Sequence, residues 1–487
     1  MDTILKTEGK KSLFIKTFGC QMNEYDSEKM VMLLANEYQR VDSPEDADLI
    51  LVNTCSVREK AESKLFGLLG TFKPLKDKNP KLVIGVGGCV AQQEGKEIVK
   101  RSTLVDFVVG THNISLVPSL VKSVSKTEEP QIAIDYREEW EELPDALDQM
   151  PATGSTVEST FNTSIRALVA IQRGCNKVCT YCVVPGTRGP QVSRSKNEIL
   201  KEIGAKVKMG AREVMLLGQT VNSYGLDLTP RIKFSDLVRE ISQIENLERI
   251  RFISPHPQEV REDFIELFGS LPKLCPHIHL PLQSGSNRIL KLMNRNYKRE
   301  RFLDIVSALR DSLPNISITT DIIVGFPTES DEDFEETLDI VNQVQFQTSF
   351  CYKYSIRPKT PAKETFNLSD EIAEEIKSRR LTRLLDLQSQ ITLNCHNQLL
   401  GKEEDVLIES VGDDEFSFKG RTGSNIFAVI NIPNLDSVAS RTNLIAKVFR
   451  GTVVRASPHG LKLIESQEFN RMQSGYNENN NNSHLDY

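Results

Sequence analysis

The sequence predicts an α/β protein in three blocks: an amino-terminal parallel-sheet α/β domain, a partial (β/α)6 barrel, and a small antiparallel β-barrel at the carboxyl end. Three observations predict it. Near the amino terminus, three apolar runs each end on a cysteine. In the middle, six strand-like runs alternate with charged, helix-permissive stretches. From about Leu399 onward, short β runs separated by turn residues replace the helical pattern.

The first block, expected over residues 12–125, contains Leu13 to Cys20, Leu49 to Cys55 and Leu82 to Cys89. These runs are continuously apolar rather than alternating, as parallel strands covered on both faces are. In open parallel sheets the ligand crevice lies outside the carboxyl ends of the strands. Cys20, Cys55 and Cys89 therefore have a common place to meet, and Gly19, Gly87 and Gly88 beside them permit close backbone approach. The alternative is that they are ordinary buried thiols, since cysteine is also a small core hydrophobe.

Residues 126–160 read as an acidic linker. Glu128 to Glu158 holds Asp135, Glu138, Glu139, Glu141, Glu142, Asp145 and Asp148 against Arg137 alone, with Pro130, Pro144, Pro151 and a Ser/Thr/Gly run.

The barrel block is expected over residues 161–395. Its candidate strands are Ala167 to Gln172, Glu213 to Gly218, Arg249 to Ser254, His277 to Leu282, Ile316 to Gly325 and Thr348 to Tyr354. In such barrels chemistry sits at the carboxyl ends of strands. Directly after the first strand comes Cys175-Asn-Lys-Val-Cys179-Thr-Tyr-Cys182, three thiols with no fourth cysteine or histidine close by in sequence. A structural zinc site normally takes four protein ligands. Three thiolates instead suit a cubane iron-sulfur cluster with one iron left open. A zinc site completed by His256, His277 or His279, or simply reduced thiols, are the alternatives.

The last block, expected over residues 396–466, carries β runs at Asp405 to Glu409, Phe416 to Lys419, Ile426 to Ile432 and Leu444 to Arg455. Small barrels of this kind often bind oligonucleotides, and Lys419, Arg421, Lys447, Arg450 and Arg455 are candidate phosphate contacts. A solvated charged surface is the alternative. Residues 467–487 are Asn-rich, low in complexity and expected to be disordered.

A net charge of −7 argues against a general nucleic-acid binder, but much of the acid sits in the linker. Nine cysteines in a long chain, spaced like metal ligands, with neither a secretory nor an organellar leader, point to a reducing cytoplasm. No apolar stretch approaches the roughly 18 to 20 residues that span a bilayer, so no membrane partner is expected.

The triplet, with Tyr181 before its last cysteine, resembles the signature of the radical S-adenosylmethionine (SAM) superfamily. All three blocks together are similar to its methylthiotransferase family over about residues 12 to 465. The motifs that carry this are Thr17-Phe-Gly-Cys-Gln-Met-Asn-Glu-Tyr-Asp-Ser27, Asn53-Thr-Cys-Ser-Val-Arg-Glu-Lys-Ala61, Cys179-Thr-Tyr-Cys-Val-Val-Pro185 and Leu217-Gly-Gln-Thr-Val-Asn-Ser-Tyr224. The resemblance implies a radical SAM partial (β/α)6 barrel and a TRAM-like RNA-binding β-barrel. It also implies two 4Fe-4S clusters, one on Cys175, Cys179 and Cys182 and one on Cys20, Cys55 and Cys89, with Tyr181, Gln219 and Gly325 at the cofactor. Two SAM molecules per turnover are implied. One yields a 5′-deoxyadenosyl radical that takes hydrogen from adenine carbon 2, and the other methylates the sulfur.

The branch most similar acts on tRNA carrying N6-isopentenyladenosine at position 37. Relatives acting on threonylcarbamoyladenosine or on a ribosomal-protein aspartate differ after the first and fifth ligand cysteines. A non-catalytic iron-sulfur RNA sensor and a zinc-stabilised RNA-binding protein are the other classes. An electron donor such as flavodoxin or ferredoxin and a monomeric state complete the expectation. Gly186, Thr220, Thr328 and Lys359 depart from the residues usual in the family.

Overall fold

A computed structural model describes residues 9–56, 61–124, 126–127, 129–143, 165–414, 416–432, 441 and 443–466. Most of the acidic segment's second half and the whole 467–487 tail lie outside the described residues. The chain forms two compact units, one of Met1–Met209, Val214–Leu237 and Ser355–Thr365, the other of Gly210–Glu213, Val238–Tyr354 and Phe366–Tyr487.

In the first unit, β1 (Lys11–Thr17), β2 (Tyr38–Arg40), β3 (Leu49–Thr54), β4 (Val83–Gly88), β5 (Phe107–Val109) and β6 (Gln131–Ala133) form one sheet in the order β2-β1-β3-β4-β5-β6. Every pairing in it is parallel. The apolar runs work as the sequence requires: along β3, Ile50 and Val52 face a core with Leu65, Leu69 and Phe72, while Leu49 and Leu51 face Met30, Leu34 and Val117. Burying each such side chain contributes about 1.5–3 kcal/mol. The short strands β2, β5 and β6 escape the sequence reading because three residues show no period.

Strand β6 lies inside the stretch expected to be a linker, and the following residues are packed too. Trp140, the only tryptophan, is flanked by the guanidinium groups of Arg173 and Arg194. Glu142 receives hydrogen bonds from Arg194 at 2.7 and 3.0 Å. The acidic charge of this stretch is therefore partly spent on fixed ion pairs, a use that composition does not reveal.

The middle region begins in the same unit with β7 (Arg166–Ala170) and β8 (Gln172–Arg173), the latter antiparallel to β9 (Val192–Ser193). Strand β10 (Glu213–Leu217) lies alongside, its Leu217 carbonyl accepting from the Ile171 N–H at 2.9 Å. Between them the helix Lys196–Lys208 starts at Ser195, whose hydroxyl accepts from the Glu198 N–H.

In the second unit come β11 (Arg249–Phe252), β12 (His277–His279), β13 (Ser317–Val324) and β14 (Thr348–Lys353). All six strands expected in the middle region are thus present. Strands β12, β13 and β14 pair in parallel, with β14 at the edge. The helix Asp331–Val344 opens on a capping box between Ser330 and Asp333.

The terminal strands β15 (Glu403–Val411), β16 (Ser417–Thr422), β17 (Phe427–Asn431), β18 (Val448–Ser457) and β19 (Gly460–Glu465) close into a barrel in the order β15-β16-β17-β19-β18. Its interior is Val406, Ile408, Phe418, Ala428, Ile430, Val453 and Leu463. One pairing, β17 with β19, is parallel, and the rest are antiparallel. Arg249 and Arg251 fasten this barrel to β11 by donating to the carbonyls of Asp405, Arg421, Thr422 and Gly423 at 2.7–2.9 Å.

Among the described residues no helix is long and apolar enough to cross a membrane.

Candidate cysteine-lined centres

The three amino-terminal cysteines gather at adjacent strand ends. Cys20 precedes the helix Gln21–Leu34, Cys55 follows β3, and Cys89 opens the helix Cys89–Glu94 directly after β4. Their centre is Asn23. Its Oδ1 lies 3.9 Å from both the Cys20 and Cys89 sulfurs. Its Nδ2 donates to the carbonyls of Phe18 at 3.0 Å and Thr54 at 2.8 Å, pinning the loops that carry Cys20 and Cys55.

Two glycines make the crowding possible. A Cβ on Gly19 would meet Cys55 Cβ at 2.3 Å and its sulfur at 2.9 Å, and one on Gly88 would meet Asn53 Oδ1 and the Thr54 carbonyl at 2.3 Å. Both have positive φ, +116° and +91°, which L side chains rarely adopt.

Electrostatics favour thiolate at Cys20 and oppose it at Cys89. A hydrogen bond from Cys55, aided by the charge of Arg188, lowers the Cys20 thiol to about 6. Burial raises Cys89. Arg188 is 5% exposed and donates to Asp26 at 2.7 Å and to Asn23 Oδ1 at 2.8 Å. Burial opposes its charge, but Asp26 and the sulfurs of Cys89 and Cys20 hold its pKa above the ordinary value.

The second trio occupies the loop after β8. The Cys175 sulfur lies 3.2 Å from Thr220 Oγ1 and accepts the Lys177 N–H at 3.3 Å, while that of Cys182 accepts the Val184 N–H at 3.5 Å. Amide-to-sulfur bonds of this kind tune a bound cluster. Backbone bonds brace the loop: Cys175 N–H to Gly189, Cys182 N–H to Cys179, and Ala362 N–H to Thr180, at 2.8–3.1 Å. Thr220, one of the four departures, is thereby a direct neighbour of a ligand candidate.

Orphaned amides lie beside this trio. Gln172 is fully buried, and neither its Oε1 nor its Nε2 finds a protein partner. Its side chain packs on Gly218, where a Cβ would come within 2.6 Å of Gln172 Cγ. The next residue, Gln219, also has a buried Oε1 without a partner. Unsatisfied buried amides cost about 1–3 kcal/mol each, and these two lie at neighbouring strand ends.

Thiol donors suit zinc and iron-sulfur centres rather than calcium or magnesium. Among the described residues no three Cys, His, Asp or Glu side chains stand at metal-ligand geometry. Donor chemistry, glycine clearance, sulfur-directed amides and orphaned polar atoms fit a sulfur-ligated group.

The remaining candidates divide. Tyr181 is half-buried within the trio's loop. Gly325 lies in the other unit at φ +73°, its N–H donating to Glu329 Oε1 at 2.9 Å, and a Cβ there would strike Lys377, so its own turn already explains it. His256 caps a short helix by accepting from the Gln258 N–H, and His277 and His279 bond to Thr319.

On the terminal barrel, Lys419 and Arg450 are already paired, with Asp413 and Asp405, and Arg421 lies near Glu409. Exposed Arg455 instead stands directly opposite exposed Lys462 on the neighbouring strand. Lys462 escaped the sequence reading, which ended the barrel's strands at Arg455. Asn23, Asp26, Arg188 and Gln172 escaped it too, although Asn23 and Asp26 share a helix face at i, i+3 just after Cys20.

Comparisons with known proteins accord with this geometry. Residues 12–110 match the uncharacterized protein family UPF0004, and residues 169–341 match the Radical SAM superfamily. A tRNA-2-methylthio-N(6)-dimethylallyladenosine synthase of Clostridium botulinum (strain Langeland) is 42% identical over 452 residues, covering 91% of this chain and 97% of the relative. One of the same name from Carboxydothermus hydrogenoformans is 44% identical over 427 residues, covering 87% and 93%. In fold, the radical S-adenosylmethionine methyltransferase TsrM from Kitasatospora setae matches with a TM-score of 0.54 at 14% identity, covering 72% of this chain and 74% of its own.

Proposed function

We propose a function from one premise: this chain belongs to the tRNA-2-methylthio-N(6)-dimethylallyladenosine synthase family. It is a radical SAM transferase that converts N6-isopentenyladenosine in tRNA, at position 37, to its 2-methylthio derivative. The observation that carries this reading is the family identity over nearly the whole chain, joined to six cysteines in two groups.

Cys175, Cys179 and Cys182 hold one 4Fe-4S cluster, and Cys20, Cys55 and Cys89 hold the other. When bound, the first supplies the electron that cleaves SAM and the second supplies sulfur. Side-chain acid-base chemistry alone is inadequate at adenine carbon 2, whose hydrogen is too weakly acidic. The protein's own work is ligation, orientation and exclusion of water. Asn23 holds the Cys20 and Cys55 loops together, Arg188 fixes Asn23 from the helix after Cys182, and buried Asp26 balances the Arg188 charge. Gln172 and Gln219 offer amides to the polar end of SAM, and Tyr181 lines the same cofactor.

By this reading residues 12–125 form the methylthiotransferase domain, 126–160 an acidic connection, 161–395 the radical SAM barrel, 396–466 a TRAM-like RNA-binding barrel and 467–487 a tail. An adenosine in the anticodon loop is reachable because loop bases can unstack without breaking a helix. The protein acts as a cytoplasmic monomer and takes electrons from a flavodoxin- or ferredoxin-like donor.

Nucleoside analysis of tRNA from cells lacking this chain tests the proposal. Loss of 2-methylthio-N6-isopentenyladenosine with accumulation of the unthiolated nucleoside is expected. Unchanged levels overturn it.

A further inference from the structure

The sheet β12-β13-β14 has two unlike faces. Ile278, Ile318 and Ile322 point to one side and are 0–2% exposed. The register puts His279 beside Thr319 and Asp321 beside Phe350, with Tyr352 two residues on, so these share the opposite face. On that face Phe350 is 50% exposed and Tyr352 is 51% exposed. Phe350 and Tyr352, two large half-exposed aromatics at i, i+2 on an edge strand, form an aromatic ledge.

Beside the ledge runs an ordered polar chain. His279 Nε2 lies 3.1 Å from Asp321 Oδ2, and its Nδ1 lies 3.0 Å from Thr319 Oγ1, which is also 3.1 Å from His277 Nε2. If His279 donates to the carboxylate, Thr319 donates to His279 and His277 donates to Thr319, so each partner is fixed by the next. The His279 ring also meets Phe350 edge-on, with centroids 5.7 Å apart. Asp321 is thus a fixed carboxylate beside the ledge, with Oδ1 making no hydrogen bond among the described residues.

We infer that Phe350 and Tyr352 stack the purine ring of the RNA adenosine to be modified, with Asp321 accepting its exocyclic N–H. The ligand chemistry is specific. An N6-alkylated adenine has two flat faces, an apolar tail and one remaining N6–H, which match an apolar aromatic ledge and one fixed acceptor. Base stacking on aromatic side chains is sequence-tolerant and strong. The inference rests on the proposed function and adds to it residues that select the substrate base. The adenine of SAM is the other purine available, and the test separates the two.

The full-length reconstituted protein is titrated with an anticodon stem-loop RNA carrying N6-isopentenyladenosine and with its unmodified counterpart, by fluorescence anisotropy. SAM affinity is measured separately by equilibrium dialysis. Phe350→Ala and Tyr352→Ala should each weaken the isopentenylated RNA about five-fold or more. The preference over unmodified RNA should shrink, and SAM affinity should stay within about two-fold. Phe350→Tyr and Tyr352→Phe should retain wild-type binding. Both side chains are half-exposed, so the fold should survive, and circular dichroism checks this. RNA affinity unchanged in both alanine variants overturns the inference, as does a fall in SAM affinity alone, which gives the ledge to the cofactor. Wild-type protein that methylthiolates the RNA while both alanine variants bind it normally sinks this inference only. Wild-type protein that neither binds nor converts it sinks the family reading as well.

Discussion

Arg188 donates to Asp26 at 2.7 Å, joining the helix that follows Cys182 to the helix that follows Cys20. Both side chains are buried, 6% and 8% exposed. Burial pushes the Asp26 carboxyl upward while Arg188 pulls it down. Breaking such a pair strands a buried charge and costs about 3–5 kcal/mol. Arg188→Ala should therefore lower apparent unfolding stability by about that amount in chemical denaturation. Arg188→Lys should rescue it only partly, since a single ammonium lacks the fork that reaches both Asp26 and Asn23. Wild-type stability in Arg188→Ala would show the pair to be incidental.

A second buried network sets the acid limit. Glu202 is fully buried, with Lys29 at 3.1 Å, Arg194 in direct contact and Lys206 at 3.5 Å. Burial alone would raise its carboxyl, but these cations hold it down at about 2. A depressed folded value means the stabilisation is full above the unfolded value of about 4.3 and is lost as pH falls through the folded one. At neutral pH the effect is about 3 kcal/mol. Glu202→Gln should remove most of it and flatten the decline in melting temperature between about pH 5 and 2. An unaltered acid profile would contradict this assignment.

Much of this was legible and some was not, for physical reasons. Strands such as Leu49–Thr54 and Ser317–Val324 are long enough to show their apolar pattern, and a cysteine at a strand end marks its crevice. Two- and three-residue strands carry no period. Arg188 and Asp26 are distant in sequence, and only the fold brings them within bonding distance. Charged surface residues misled most. Arg450 and Arg455 look alike in sequence, yet one is neutralised by Asp405 and the other faces Lys462.

That difference is testable on RNA. Like charges placed opposite each other across strands are destabilising unless something binds them. Arg455→Ala and Lys462→Ala should each weaken tRNA binding uniformly across sequences and reduce the slope of log affinity against log salt by about 1. Arg450→Ala should change the slope little. Equal slopes in all three variants would remove the terminal barrel from the RNA interface.

The two cysteine trios should separate by metal content. Anaerobically reconstituted protein should hold about eight irons, four per cubane. Alanine at Cys175, Cys179 and Cys182 should halve that and abolish 5′-deoxyadenosine formation. Alanine at Cys20, Cys55 and Cys89 should also halve the iron but leave SAM cleavage in place while stopping thiolation. Zinc in place of iron at either trio would contradict the assignment.

The most direct test of the central claim is mass analysis of nucleosides after incubating reconstituted protein with isopentenylated tRNA, SAM and dithionite without oxygen. A 2-methylthio nucleoside formed together with 5′-deoxyadenosine is the predicted result. Deoxyadenosine without thiolated RNA, or neither product from protein that holds both clusters, would contradict it.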